Sequence, residues 1–267
     1  MKLADKIEKL TIARFTDRDK SRIEDLVVWE RPLTIMLNNR ELVTLLCWPT
    51  DQKFLAAGFL YSEGLINSKD DIKNIRVDEK RGVVRVKTEK DNKSAGELLF
   101  KRFITSGCGS GASFYSPFDV RAMARVESQI RLLPENVFAL MKAFHRRSKV
   151  YRMTSGVHSA ALCDAGDILL FAEDIGRHNA IDKIFGQCLL EDLPTDEHIV
   201  VTSGRISSEI LLKVAKRSIP IIISKSAPTD VGVKLADELG ITIIGYVRGK
   251  RMNVYTHEWR VVIDEQK

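Results

Sequence analysis

Short, continuous runs of apolar and β-branched residues constrain the fold of this chain more than any other feature. Three such runs, at residues 199–202, 219–223 and 241–246, alternate with amphipathic segments at 206–217 and 230–239. Strands buried on both faces have near-continuous apolar sequences, and strands that alternate with helices usually form a parallel sheet. We therefore predict an α/β fold for this half of the chain, with a parallel sheet covered by helices on both faces.

The first hundred residues have a different pattern, in which short strands dominate. Apolar or alternating runs predict strands at residues 26–29, 33–37, 42–48, 72–77 and 83–87. Between the third and fourth of these, we predict a helix that begins after Asp51, its expected N-cap, and ends at Gly64. The chain is thus predicted to divide into a small N-terminal α+β domain, residues 1–104, and an α/β domain, residues 105–267.

The α/β domain is expected to contain further elements before its three central strands. Pro134 is typical of the first position of a helix, and the runs 157–163 and 168–172 predict a β-hairpin. A helix from Asp174 to about Leu190 should follow.

Composition excludes several classes of protein. Hydrophobic residues make up 44% and charged residues 29% of the 267 residues, as in an ordinary globular protein. No apolar run approaches the roughly 18 residues that span a bilayer, and the charged N-terminus lacks the apolar core of a signal peptide. We therefore expect a cytoplasmic protein with no membrane partner.

The net charge of +6 favours an anionic partner without identifying it. A phosphorylated cofactor and an acidic protein both fit this charge. Nucleic-acid binders usually interleave basic residues with exposed aromatics or carry a known reading module, and the sequence has neither feature. No nucleic-acid partner is therefore expected.

Three segments that follow the central strands are rich in hydrogen-bond donors and cations. They are residues 203–205, 224–229 and 248–251. Because the carboxyl ends of parallel strands meet at one edge of a sheet, these segments should lie close together. The first two also lead into helix N-termini, which attract anions. Together they predict a site for phosphate groups, such as those of a nucleotide.

Four cysteines, Cys47, Cys108, Cys163 and Cys188, are widely spaced and show no pairing pattern, which is typical of a reducing compartment. Cys163 falls in an apolar strand and Cys188 on the apolar side of a helix. Cys108 lies instead among glycines and hydroxyl residues in the segment 105–113, which cannot pack around it. It is either a chance surface cysteine or a reactive thiol. The flanking glycines leave room for a second molecule and favour the reactive thiol.

The segment 173–183 concentrates ionisable residues at another predicted strand-to-helix turn. Asp174, His178 and Asp182 are four residues apart and would share a helix face, where the carboxylates could orient the imidazole. A helix N-cap with a surface ion pair is the alternative. His158 is either a site residue or a hydrogen-bonded core histidine. No Cys and His spacing typical of zinc sites occurs, so we expect no metal bound directly by the protein.

These motifs resemble those of the FdhD family, accessory sulfurtransferases needed for active formate dehydrogenase. The matching segments, in order, are 156–161, 173–183, 202–205, 224–229 and 248–256, and they cover most of residues 100–260. The resemblance implies a cytidine-deaminase-like three-layer α/β/α core without the zinc of true deaminases. It also implies a homodimer.

The resemblance further implies an enzyme, a sulfurtransferase with a cysteine persulfide intermediate. Cys108 would be its catalytic residue, would accept sulfur from a cysteine desulfurase, and would transfer it to Mo-bis(molybdopterin guanine dinucleotide). The catalytic subunit of formate dehydrogenase would then receive this guanine-dinucleotide cofactor in its sulfurated form. The segment that matches the family's cofactor-binding loop is Tyr246, Val247, Arg248, Gly249, Lys250 and Arg251.

One departure from the family pattern limits the mechanism. Many members carry a second cysteine three positions after the first, where this chain has Gly111. A two-thiol relay within the loop is therefore not expected, although one thiolate is enough to accept and pass on a sulfur atom.

Two alternatives from other functional classes remain open. A nucleobase deaminase on the related fold would require zinc ligands that the sequence lacks. A non-catalytic chaperone would bind the molybdenum cofactor and deliver it without carrying sulfur.

Overall fold

The computed structural model describes residues 6–89 and 123–263, together with the backbone of residues 103–104 and 112–113. Its strands are β1 (Ile7–Phe15), β2 (Lys20–Val28), β3 (Arg31–Leu37), β4 (Arg40–Cys47), β5 (Ile72–Asp78), β6 (Val83–Thr88), β7 (Phe103–Ile104), β8 (Ala112–Ser113), β9 (His158–Cys163), β10 (Ile168–Asp174), β11 (Ile199–Thr202), β12 (Ile221–Ser224), β13 (Thr242–Arg248) and β14 (Arg251–Val254). Its α-helices are α1 (Gln52–Ser62), α2 (Pro134–Arg147), α3 (Lys149–Thr154), α4 (Arg177–Leu190), α5 (Ser208–Lys216) and α6 (Asp230–Leu239). The prediction of a mixed α/β fold is confirmed.

The largest sheet has six strands in the order β10-β9-β11-β12-β13-β14. The neighbours β11, β12 and β13 are parallel, as predicted. The predicted hairpin is confirmed as the antiparallel pair β9/β10. The sheet is mixed, because β9 is also antiparallel to β11, and β14 is antiparallel to β13. The pairs β9/β10 and β13/β14 are joined by short turns, which permit only antiparallel pairing, whereas helices link the parallel strands.

Both faces of this sheet are covered. Val200, Ile222 and Ile243 point to one face, where they pack in a core that α4, α5 and α6 share. Their neighbours Val201 and Ile223 point to the other face, where they pack with side chains of α2. Because side chains alternate along a strand, continuous apolar sequences supply both cores. The sheet therefore lies between two helical layers.

The N-terminal part contains a second sheet, of four strands in the order β4-β3-β6-β5. Helix α1 packs on it and forms a separate core that also includes Leu189 of α4. Asn38 and Asn39 adopt positive φ angles of 48° and 67° in the β3–β4 turn. Asp51 occupies the N-cap position of α1, as predicted, and its carbonyl accepts the Leu55 N–H at 2.9 Å. Its φ is 53°, and its side chain makes no capping hydrogen bond.

An additional hairpin precedes this sheet. β1, which the sequence analysis missed, pairs along its whole length with β2 in a separate two-stranded sheet. Its residues are mostly exposed, and a strand with little buried surface lacks the apolar alternation by which strands are recognised. The predicted boundary between domains 1–104 and 105–267 stays a prediction.

Helices α1 and α4 cross in backbone contact. A Cβ atom on Gly58 would lie 1.8 Å from the carbonyl oxygen of Asp182, and one on Gly186 would lie 1.8 Å from the carbonyl oxygen of Phe54. Only glycine fits at such distances. This crossing attaches the N-terminal sheet to the helical layer of the larger sheet. No helix in the described ranges is long and apolar enough to cross a membrane.

Candidate functional site

An open cleft of about 420 Å³ lies at the edge of the larger sheet where β11, β12 and β13 end. Its lining residues are Met141 and His145 of α2, Ser203, Lys225 and Ser226 of the loops after β11 and β12, and Val247 and Arg248 of β13. The three segments predicted to converge do therefore meet, since each contributes to the lining. The volume falls within the range of small-molecule sites.

The loops after β11 and β12 are held to each other by hydrogen bonds. The Ser224 hydroxyl donates to the Gly204 carbonyl at 2.7 Å, and the Ile206 N–H donates to the Ala227 carbonyl at 3.1 Å. The Ser226 N–H donates to Ser224 Oγ at 3.0 Å. These bonds continue the pairing of the strands past their ends, so one wall of the cleft has a fixed backbone.

The predicted cofactor-binding segment 246–251 forms the tip of the β13–β14 hairpin. Arg248 pairs with Arg251 across a two-residue turn, in which Gly249 has a φ of 59°. Such hairpin turns favour glycine at the first position because it must adopt a positive φ. Within this segment, Val247 and Arg248 line the cleft, whereas Gly249, Lys250 and Arg251 do not.

Tyr246 occupies an unusual position in the same segment. Its φ is 52°, at an irregularity in the β13–β14 register, and its N–H donates to the Ser226 carbonyl at 3.1 Å. A left-handed aromatic residue is strained and is found where a bulge redirects the chain. Tyr246 remains 43% exposed, and the Arg248 guanidinium lies 5.8 Å from the centre of its ring. The bulge therefore places an exposed aromatic ring beside the cleft cation Arg248.

The electrostatics of the cleft favour an anion. Within the described ranges, neither Lys225 nor Arg248 has a carboxylate at salt-bridge distance. Lys225 Nζ instead lies 4.3 Å from the centre of the Tyr151 ring. The expected contribution of helix N-termini is not seen in the lining, because α5 and α6 begin several residues later and Thr229 caps α6 by accepting from the Gly232 N–H. Side-chain cations and hydroxyls thus provide the attraction.

His158 lies beside the cleft and is hydrogen-bonded, as one of its two interpretations expected, and its role as a site residue stays a prediction. Its Nδ1 is 3.1 Å from Ser203 Oγ, and the same oxygen accepts the Ser159 N–H at 3.0 Å. Burial lowers the pKa of His158 below its usual value, and the nearby cations Arg177 and Lys225 lower it further. The imidazole is therefore neutral at neutral pH.

The carboxylates Asp174 and Asp182 do not orient His178. His178 Nε2 lies 3.0 Å from Glu209 Oε2. Burial lowers the pKa of His178, and the hydrogen bond from His178 lowers the pKa of Glu209. The alternative of a cap with a surface ion pair is also wrong, because Asp174 pairs with Lys183 at 2.7 Å and both side chains are at most 1% exposed.

Asp182 belongs to a second buried pair, with Lys213 Nζ at 2.5 Å. It also accepts from the Ser62 hydroxyl of α1 at 2.7 Å. Asp174 accepts the Trp48 N–H at 3.2 Å, and Lys183 donates to the Trp48 carbonyl at 3.1 Å. We call Asp174, Lys183, Asp182 and Lys213 the buried charge network. It joins the N-terminal part to the larger sheet.

The described cysteines are all buried. Burial raises the pKa of Cys47 and of Cys163 to about 12 and that of Cys188 to about 11. The sequence-based placement of Cys163 and Cys188 in the core is confirmed. Cys108 and Gly111 lie outside the described residues, between the short paired strands β7 and β8.

The part of the chain that the structure describes contains no recognisable metal site. No group of three or more His, Cys, Asp or Glu residues in these ranges could hold a metal ion. The expectation that the protein binds no metal directly stays a prediction.

Sequence reasoning missed part of the cleft wall. Met141 and His145 line it from α2, and Tyr151 of α3 lies under Lys225. The sequence predicts that this helix begins at Pro134, but not which of its residues lie over the edge of a distant sheet. No signal in the sequence pointed to these residues.

Comparison with known proteins identifies the family. The FdhD/NarQ family model matches residues 28–262. The chain belongs to the FdhD/NarQ family. The match includes the whole larger sheet and all lining residues of the cleft, and it confirms the resemblance found in the sequence.

Individual relatives agree with this assignment. The chain is 46% identical over 248 residues to the "Sulfur carrier protein FdhD" of Bacillus subtilis, covering 93% of this chain and 95% of the relative. It is 39% identical over 255 residues to the protein of the same name from Staphylococcus aureus, covering 96% of each. A crystal structure of a putative formate dehydrogenase accessory protein from Desulfotalea psychrophila matches with a TM-score of 0.79 and 27% identity, over 96% of this FdhD/NarQ chain and 99% of that one.

Proposed function

We propose that this protein is a sulfur carrier and sulfurtransferase that serves the maturation of formate dehydrogenase. Cys108 accepts persulfide sulfur from a cysteine desulfurase and passes it to Mo-bis(molybdopterin guanine dinucleotide), which is the acceptor substrate. Two relatives are named as sulfur carriers and the structural neighbour as a formate dehydrogenase accessory protein. These names support a sulfur-carrying role and a link to formate dehydrogenase, and the family resemblance motivates the desulfurase and the cofactor.

The burial of the other cysteines is the observation that carries the assignment of Cys108. Sulfur transfer requires a thiolate that a donor persulfide can reach. Cys47, Cys163 and Cys188 are buried, and burial holds the pKa of each thiol far above neutrality. Cys108, flanked by Gly107 and Gly109, is the remaining cysteine of the chain.

The proposed chemistry needs no internal disulfide. The Cys108 thiolate attacks the outer sulfur of the donor persulfide, a new S–S bond forms at Cys108, and the desulfurase cysteine leaves as a thiolate. The S–S bond of the Cys108 persulfide then breaks with its electron pair on Cys108 Sγ, which regenerates the thiolate. The outer sulfur leaves at the sulfane level, and a cofactor in its reduced form would accept it and supply the two electrons that convert it to sulfide. This cycle fits a loop that has Gly111 in place of a second cysteine.

The cleft is the proposed site for the guanine-dinucleotide part of the acceptor. Lys225 and Arg248 supply cations for a pyrophosphate, and Ser203 brings a hydroxyl to the same lining. Tyr246 adds an exposed aromatic surface next to Arg248. In this proposal the hairpin 246–251 binds through Tyr246, Val247 and Arg248, while Gly249 shapes the turn and Lys250 and Arg251 contribute long-range attraction.

Three further assignments belong to the same proposal. We infer a cytidine-deaminase-like α/β/α core, which the two helical layers around the sheet support. We also infer a homodimer that works in the cytoplasm with the desulfurase and the catalytic subunit of formate dehydrogenase. The family resemblance motivates both of these inferences.

Replacing Cys108 by serine tests the proposal. Cys108→Ser keeps the size and hydrogen bonding of the side chain but removes the sulfur carrier. Mass spectrometry after incubation with a desulfurase and cysteine should find a persulfide on the wild-type protein and none on the variant. Formate dehydrogenase activity in cells that lack the native factor should then be lost with the variant.

Cys163→Ser is the matched control. It places a hydroxyl in the core and should lower the free energy of unfolding by about 1 to 3 kcal/mol, while the folded protein still carries sulfur. If Cys108→Ser activates formate dehydrogenase as well as the wild type does, sulfur transfer is excluded. The protein is then a cofactor chaperone.

A further inference from the structure

His158 and Ser203 meet at the edge of the cleft, outside the hairpin 246–251. Ser203 lines the cleft, and its Oγ has two protein partners. His158 Nδ1 lies 3.1 Å away, and the Ser159 N–H donates at 3.0 Å. The imidazole therefore controls what the Ser203 hydroxyl can offer to a ligand.

The control follows from the hydrogen-bonding capacity of a hydroxyl, which has one proton to donate and two lone pairs that accept. One lone pair of Ser203 Oγ accepts the Ser159 N–H. When His158 Nδ1 has no proton, the Ser203 proton is donated to it and a lone pair is left toward the cleft. When His158 Nδ1 is protonated, it donates to the second lone pair, and the Ser203 proton is left for the cleft.

We propose that His158 and Ser203 form a proton-linked binding element for a pyrophosphate. Neutral His158 carries its proton on Nε2 and accepts the Ser203 proton at Nδ1, and protonation of Nδ1 turns the Ser203 hydroxyl into a donor toward the ligand. His158 is thus a positioning residue, because it acts on the ligand through Ser203. The proposal rests on the proposed function, since the pyrophosphate is taken to be that of the dinucleotide bound in the cleft.

The charged groups around His158 make its protonation depend on the ligand. Burial is the main cause that lowers its pKa in the free protein, followed by Arg177 at the start of α4, Lys225 after β12 and His178 on α4, while Asp174 at the end of β10 raises it. A pyrophosphate next to Lys225 offsets the cations and favours the imidazolium. Binding therefore raises the pKa of His158 and takes up a proton.

Proton uptake gives the affinity a defined pH dependence. Between the lowered pKa of free His158 and its higher pKa in the complex, the complex binds more protons than the free protein does. The affinity must then rise as the pH falls, by up to about tenfold per pH unit for one proton. Above this range the affinity no longer depends on His158.

Calorimetry with diguanosine pyrophosphate measures this uptake. The ligand is a diester whose phosphates do not titrate near neutrality, so the protein supplies the pH dependence. Titrations in two buffers with different ionisation enthalpies count the protons taken up. We expect the wild type to take up about half a proton to one proton per site in the pH window defined above. Its affinity should fall as the pH rises through this window, by up to about tenfold per pH unit.

Variants show which histidine takes up the proton when the ligand binds. His158→Gln should bind the ligand with no proton uptake and a flat pH profile. His198→Gln is the matched control, because His198 precedes β11 at the opposite end of that strand from the cleft, and its uptake should equal that of the wild type. Ser203→Ala should weaken binding more at low pH than at high pH, because the hydroxyl donates to the ligand only when His158 is protonated.

The unmodified protein provides a test that does not depend on the folding of a variant. A proton NMR titration follows the ring of His158, one of only five histidines, and its pKa should rise when diguanosine pyrophosphate binds. An unchanged pKa of His158 overturns the inference, as does equal proton uptake in the wild type and His158→Gln. If the ligand binds in neither form at any pH, the proposed cofactor site is wrong as well, so the two failures can be told apart.

Discussion

Both the buried charge network and the cleft contain charged side chains, but the two regions differ in where the partners of those charges are. In the network, Asp174 with Lys183 and Asp182 with Lys213 are paired inside the protein and at most 5% exposed. In the cleft, Lys225 and Arg248 face an open space of about 420 Å³.

This difference distinguishes charges that stabilise the fold from charges that can bind a ligand. Charges that are fully paired within the chain add no attraction for a ligand, and their removal leaves a buried charge without a partner. Charges that face a cleft cost little to remove but attract anions. Charge density in a sequence therefore does not identify a site until the partners are known.

Among the variants that test this difference, Lys183→Met should cause the largest loss of stability. The substitution leaves Asp174 buried without its cation, which should cost about 3 to 5 kcal/mol of unfolding free energy. Urea denaturation measures this loss. The control Lys234→Met breaks an exposed pair with Asp230, 3.9 Å apart, and should cost about 0 to 1 kcal/mol. Equal losses in the two variants would contradict the structural role of the network.

A smaller loss of unfolding free energy is expected from a substitution at the crossing of α1 and α4. Gly186→Ala adds a methyl group against the Phe54 carbonyl, which should force the helices apart at a cost of about 1 to 3 kcal/mol. The same denaturation experiment applies. Gly166→Ala is the control, because a Cβ there meets only Asp164 Oδ1 at 3.6 Å, and it should change stability by less than about 0.5 kcal/mol. A stable Gly186→Ala variant would show that the crossing tolerates separation.

Substitutions in the cleft should lower the affinity for a ligand and leave the free energy of unfolding nearly unchanged. Lys225→Ala and Arg248→Ala should each weaken binding of a guanine nucleotide roughly tenfold, because charged hydrogen bonds to phosphate are lost. Lys250→Ala, at the hairpin tip outside the lining, should have a smaller effect that salt removes. Affinities measured at low and high salt test this order. Equal effects of all three variants would place the phosphates on the hairpin tip instead of in the cleft.

Much of the fold was determined by the sequence alone. The continuous apolar runs of β11, β12 and β13 predicted strands buried on both faces, and the structure confirms both helical layers. The segments after these strands predicted the edge at which the cleft lies. The local sequence pattern suffices for such conclusions, because a strand buried on both faces has apolar side chains at nearly every position.

The partners of individual charges were decided only by the tertiary structure. Residues 173–183 looked like a face that orients His178, but α4 begins at Arg177, so Asp174 lies at the end of β10 and not on the helix. Its cation, Lys183, is nine positions later, and Asp182 is paired across to α5. His145 reached the cleft only because α2 packs over that edge of the sheet. The pattern of apolar residues shows which face of a helix or strand is buried. Which side chains from different elements meet is determined by long-range packing, and the local pattern contains no information about it.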